Sequence, residues 1–124
     1  MFIPYARQSI SEDDIAAVTK VLRSDFLTQG PTVPAFERAL TIYCKATHAV
    51  AMNSATSALH VACLALGVGP GDIVWTSPIS FVASANCALY CGAEVDFVDI
   101  DSQTFNMSVD ALATKLACAE LEGT

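Results

Sequence analysis

Two hydroxyl-rich stretches hold most of the side chains in this sequence that could do chemistry. In Asn53-Ser54-Ala55-Thr56-Ser57 an apolar run gives way to small polar residues just where a helical period begins. The first N–H groups of a helix lack intrahelical partners, and with the helix dipole they attract an anion. Thr56 and Ser57 would add two hydroxyl donors, and Ala55 and Ala58 are small enough for a ligand to come close. Such a cradle grips a phosphoryl group without a lysine. An ordinary helix cap by Ser54 or Thr56 uses the same residues, so the pattern alone leaves both readings open. The second stretch runs from Thr76 to Asn86 and follows a strand-like segment. Phe81 within it can stack on a flat ring at the mouth of a sheet, or it can be a core residue of its helix.

Other constellations carry less. The two histidines are His48 and His60, and His60 stands beside Val61 and Leu64, as a hydrogen-bonded core or boundary histidine would. No Cys/His group has zinc spacing, and no metal site is expected. Cys44, Cys63, Cys87, Cys91 and Cys118 are scattered among apolar residues without a CxxC pair. Cys87 and Cys91, four apart, share a helix face and read as small buried thiols in a reducing compartment rather than as a metal or redox pair. Asp96, Asp99 and Asp101 could flank a cation, but a solvated strand edge explains them. Neither a Gly-rich loop ending in Lys-Ser/Thr nor GxGxxG is present, which gives no support to mononucleotide or dinucleotide folds of those kinds.

The elements that must position these residues are readable. Ser11 and Asp14 form a capping-box pattern ahead of Ile15, Val18, Val21 and Leu22, which predicts a first helix stopping near Ser24. An irregular stretch, Asp25 to Pro31, precedes a second helix expected to start near Pro34. Residues 48–53 read as a strand, 56–66 as a helix capped by Gly67, and Gly69-Pro70-Gly71-Asp72 as a turn. Residues 73–77 are a second strand, 80–91 a helix closed by Gly92, and 94–99 a third strand with alternating acidic residues. Ser108 opens a last helix. Strand, helix, strand, helix, strand predicts an α/β fold with right-handed crossovers, about three strands with helices packed around them. The division expected is an N-terminal helical arm over 1–47 and a βαβαβα segment over 48–124.

Composition bounds the rest. The 124 residues are 53% hydrophobic and 15% charged, enough for one domain with a usable core. Six basic against thirteen acidic residues give a net charge of −7, which repels phosphate backbones and argues against nucleic-acid partners. No apolar run approaches the ~20 residues of a membrane span, and the N-terminus is not patterned as a signal peptide. A soluble, cytoplasmic protein is expected.

Read in order, Phe2-Ile3-Pro4-Tyr5, Leu27-Thr28-Gln29-Gly30, Phe36-Glu37, Asn53 to His60, Gly69-Pro70-Gly71-Asp72 and Ser77-Pro78-Ile79-Ser80-Phe81-Val82-Ala83 form a series. The series resembles the N-terminal part of the DegT–DnrJ–StrS sugar-nucleotide aminotransferases. These are pyridoxal-phosphate enzymes of the aspartate-aminotransferase (type I) fold, so the resemblance implies a truncated large domain of that fold. The wording at 53–59 and 77–83 looks closest to the branch that aminates a UDP-linked 4-keto-6-deoxy N-acetyl sugar on the route to pseudaminic acid.

The resemblance implies that Thr56 and Ser57 hold the cofactor phosphate, that Ala55 also contacts the cofactor and that Phe81 stacks on its ring. It also implies that Tyr5, Asp25, Phe26, Leu27, Thr28 and Ala55 face the nucleotide-sugar substrate, with glutamate as amino donor and a homo-oligomer as the assembly. The Schiff-base lysine of the family falls beyond this sequence. Lys20, Lys45 and Lys115 do not stand in its context, so there is no catalytic residue to assign and the chain alone is expected to transfer no amino group. A non-catalytic binding or assembly module derived from the same fold is the alternative.

Overall fold

The computed structural model describes residues 3–4 and 6–122, which fall into two compact units, 1–51 and 52–124. In the first, α1 (Glu12–Leu22) starts at the expected capping box. The Ser11 hydroxyl accepts the Asp14 N–H, and the Asp14 carboxylate accepts the Ser11 N–H at 2.8 Å. That bonding holds the Asp14 carboxyl below the ordinary carboxylate range. Helix α2 (Thr32–Cys44) begins two residues before Pro34. Proline is tolerated there because the first-turn N–H groups are unpaired in any helix. The Ala51 N–H is bonded to the Glu37 carboxylate at 2.8 Å, tying the end of this unit to α2.

The second unit contains α3 (Ala55–Ala65), β1 (Ile73–Thr76), α4 (Ala83–Tyr90), β2 (Glu94–Phe97) and α5 (Val109–Glu122). The strands pair in parallel, Ile73 with Glu94 through Thr76 with Phe97, as a crossover through α4 requires. Gly67 and Gly92, both at φ +78°, end α3 and α4 as expected. The α/β class is therefore observed.

The strand expected at 48–53 is not. Among the described residues the sheet has two strands, and no ladder includes that segment. Strand geometry is fixed by a pairing neighbour, and an apolar run without one stays irregular. The third expected strand likewise ends at Phe97, with one further bond from the Val98 N–H to the Thr76 carbonyl at 3.0 Å.

The core is small and lies in the second unit: Ala83, Cys87 and Ala88 on α4, then Ala93 and Val98. Val98 is 2% exposed and is the largest of these side chains. The chain presents 10,299 Å² of accessible surface. Large apolar side chains contribute to it, with Val18, Leu22, Phe36, Ile42, Leu64 and Leu89 each at least half exposed.

Three features fasten the sheet's surroundings. The Lys115 ammonium on α5 pairs with the Asp96 carboxylate, donates to the Phe97 carbonyl at 2.8 Å and lies 5.2 Å from the Trp75 ring centroid. The Asp101 carboxylate accepts from the Thr104 N–H at 2.7 Å, the Thr104 hydroxyl at 2.9 Å and the Gln103 N–H at 3.1 Å. Ser108 caps α5 by accepting the Ala111 N–H.

Hydrogen bonding to Lys115 lowers the Asp96 carboxyl below the usual range, and the Thr104 N–H does the same for Asp101. A depressed folded-state pKa contributes stability above the unfolded value, about 4, and the contribution is lost as pH falls through the folded value. Trp75 is the single tryptophan and reports on Lys115. Its fluorescence is expected to stay constant from pH 7 to about 4 and to change only below that. A transition centred above pH 4 would contradict the pairing.

Candidate functional site

At the start of α3, Ser54 is extended, at φ −161°, and its hydroxyl accepts the Ser57 N–H at 3.1 Å. It also donates to the Ser57 hydroxyl oxygen at 3.0 Å, which leaves the Ser57 proton free to point outward. One amide of the first turn is thus capped internally. The Ala55 and Thr56 N–H groups have no protein partner among the described residues. Ala55 is exposed, and Thr56 and Ser57 are half-buried. Ser54 is the cap, and the Ala55 and Thr56 amides lie beside the Thr56 and Ser57 hydroxyls in the same turn. The positive end of the α3 dipole supplies the field, because no lysine or arginine lies in the segment.

Phe81 lies outside α4, two residues before its first turn, because local bonds hold the preceding loop out of the helix. The Ile79 N–H meets the Ser77 hydroxyl at 3.4 Å, and the Ser80 and Ser84 hydroxyls lie 3.1 Å apart. The ring is 75% exposed, which excludes the core reading for this chain. It borders a cleft of ≈ 200 Å³ beyond the carboxyl end of β1, together with Thr76, Ser80 and Phe97. Ligands of open α/β sheets bind at that end. Phe97 had no mark in the sequence reading; its place at the carboxyl end of the neighbouring parallel strand was the available signal. No residue of α3 lines the cleft.

In the first unit, Asp25 and Phe26 line a separate cleft of ≈ 520 Å³ with Ala17, Val21, Pro31 and Ala35, between α1 and α2. Leu27 and Thr28 are exposed beside it and do not line it. Tyr5 lies outside the described residues. The loop is held by Ser24, whose hydroxyl donates to the Val21 carbonyl at 2.7 Å, and by the close approach of Gly30 to Phe26. A Cβ at Gly30 would fall 2.7 Å from that of Phe26. Gly30→Ala is therefore expected to displace the Phe26 ring and remodel this cleft, while α1 and α2 keep their helicity. Paired chemical-shift and circular-dichroism measurements check it.

The acidic residues do not converge. Asp96 is held by Lys115, Asp99 accepts the Ile100 N–H at 2.8 Å, and Asp101 closes its own turn. Among the described residues no group of three or more His, Cys, Asp or Glu could hold a metal ion. His60 on α3 meets Tyr90 on α4 edge to face, with centroids 5.3 Å apart, a packing contact. No helix of the described residues is long and apolar enough to cross a membrane.

The spore coat polysaccharide biosynthesis protein SpsC of Bacillus subtilis is 44% identical over 106 residues, 86% of this chain and 27% of that protein. A UDP-4-amino-4,6-dideoxy-N-acetyl-beta-L-altrosamine transaminase of Campylobacter jejuni is 50% identical over 98 residues, 79% of this chain and 26% of that protein. Among solved structures, the PLP-form of the sugar aminotransferase Spr1654 from Streptococcus pneumoniae superposes with a TM-score of 0.83 at 38% identity. It covers 90% of this chain, which in turn covers 29% of it. The chain thus spans about a quarter of the length of these relatives. The model of the DegT/DnrJ/EryC1/StrS aminotransferase family matches residues 8–119, and the chain belongs to that family.

Proposed function

We propose that this chain supplies the phosphate grip and part of the sugar-nucleotide face of a pyridoxal-phosphate-dependent aminotransferase. Its substrate on this reading is a UDP-linked 4-keto-6-deoxy N-acetyl sugar of glycan or pseudaminic acid biosynthesis, with glutamate as amino donor. When bound, pyridoxal phosphate supplies an electron sink for moving the amino group. The observation that carries the reading is the start of α3, where the Ala55 and Thr56 amides stay open beside the Thr56 and Ser57 hydroxyls. A phosphate monoester is the anion that such a neutral, dipole-backed cradle fits.

Phe81 offers an exposed aromatic face for a pyridine ring, and Asp25, Phe26, Leu27, Thr28 and Ala55 are assigned to the nucleotide sugar, with Tyr5. Lys115 is engaged by Asp96 and the Phe97 carbonyl, and Lys20 and Lys45 belong to the first unit, on α1 and at the end of α2. On this reading the 124 residues by themselves transfer no amino group. The exposed apolar side chains and, among the described residues, the unpaired outer edges of β1 and β2 support assembly with further copies or further polypeptide.

Titration with pyridoxal phosphate, followed by visible absorbance, tests the grip. Saturable binding that inorganic phosphate displaces, with pyridoxal lacking the phosphate at least about tenfold weaker, is the expected result. A folded chain without saturable binding would instead favour the non-catalytic assembly module.

A further inference from the structure

The cleft beyond the carboxyl ends of β1 and β2 has a second aromatic side chain on its wall. Thr76 and Phe97 are register partners in the parallel pair, so the last residues of the two strands stand next to each other. Phe81 reaches the same cleft from the loop after β1, and both rings line it. Phe97 is 49% exposed, so much of its ring is left for a ligand. The cleft measures ≈ 200 Å³, and a cavity of about 150 Å³ takes one benzene ring. Larger molecules need more room, because pockets for drug-sized ligands start at about 300 Å³. Among the described residues no charged side chain lines the cleft, and its polar side chains are the hydroxyls of Thr76, Ser77, Ser80 and Ser84. Size and chemistry together suit one flat, net-uncharged ring with polar substituents.

The two aromatic residues are held differently. Phe81 sits on a loop kept by the Ile79–Ser77 and Ser80–Ser84 contacts. Phe97 is anchored through its backbone on three sides. Its N–H donates to the Asp96 carboxylate at 2.7 Å, its carbonyl accepts from the Lys115 ammonium at 2.8 Å, and the next N–H, that of Val98, donates to the Thr76 carbonyl at 3.0 Å. A wall fixed before the ligand arrives loses little further freedom on binding.

We propose that Phe97 is a ring-binding residue, the fixed wall of a slot shared with Phe81 that takes a single heteroaromatic ring of the pyridine type. The assignment rests on the reading in which Phe81 meets the cofactor ring, and it adds a residue from the neighbouring strand. It also separates two contributions to affinity. No residue of α3 lines the cleft, so the slot holds the ring whether or not a phosphate is attached.

The test uses the full chain carrying isotope-labelled phenylalanine, with pyridoxine as the probe. Pyridoxine has the ring but neither the aldehyde, which would react with lysines, nor the phosphate. Titration at millimolar concentrations is expected to shift the Phe81 and Phe97 ring signals together and saturably, with inorganic phosphate leaving the shifts in place. Phe97→Leu keeps an apolar side chain at a half-exposed position and is expected to bind pyridoxine about fivefold more weakly. Phe97→Tyr keeps the flat face and is expected to hold the original affinity. Pyridoxine that leaves the Phe97 signal unmoved, equal affinity in the Leu variant, or equal loss in both variants would each overturn the assignment. The phosphate grip is read independently: Thr56→Ala with Ser57→Ala tests pyridoxal-phosphate binding, and its failure would leave the pyridoxine result standing.

Discussion

Replacing Thr56 and Ser57 together by alanine is expected to weaken pyridoxal-phosphate binding by about a hundredfold while leaving the helix content of the chain unchanged. Each hydroxyl would donate to a charged phosphate, a bond of about 1.5–3 kcal/mol, and two such losses near the lower end correspond to that factor. The cap is spared because the Ser54 hydroxyl accepts the Ser57 backbone N–H, a bond the double variant keeps although it loses the bond between the two hydroxyls. Ser54→Ala is the complementary change. It removes the cap and costs about 1 kcal/mol of stability at the start of α3. Affinity by absorbance titration and helicity by circular dichroism separate the two effects. Unchanged affinity in the double variant would remove the phosphate assignment and leave an ordinary helix start.

The second large effect belongs to the core. Val98→Ala is expected to destabilise the second unit by about 2 kcal/mol, from two buried methyl groups and the cavity they leave. Val98 is 2% exposed, and its N–H extends the β1–β2 ladder by one bond. The other buried side chains are Ala83, Cys87, Ala88 and Ala93, all small, so little around the cavity can collapse into it. In an intact domain of ordinary stability such a loss is tolerable. Among the described residues this unit rests on five buried side chains, and the loss is expected to appear as a much lower urea midpoint or as an already unfolded second unit. An unchanged midpoint would mean that Val98 is not the centre of the packing.

What the sequence discloses, and what it conceals, divides along a physical line. Local devices are legible. Ser11 with Asp14 announces α1, Gly67 and Gly92 end α3 and α4, and the β-branched run from Ile73 is a strand. Each depends on residues within a turn or two of one another. Features that depend on distant partners are not legible. Residues 48–53 have a strand's composition but no ladder, and Lys115 reaches back to Asp96 and Trp75 through tertiary packing. The candidate site shows the same division. Ser54, Thr56 and Ser57 are visible as a helix start from their types alone, whereas the exposure of Phe81 and the company of Phe97 depend on how the loop from Ser77 to Ser80 closes.

The two-stranded parallel sheet has one further consequence, for solubility. Backbone donors and acceptors along its outer margins pair with any extended chain of suitable length, whatever its side chains. The margins are not equally guarded: Glu94 places a carboxylate on β2, where Asp96 is already paired with Lys115, whereas β1 reads Ile-Val-Trp-Thr without a charge. At neutral pH two copies meeting through β2 bring like charges together, while β1 has no such gatekeeper. Fibril growth from concentrated stocks should therefore propagate through Ile73–Thr76.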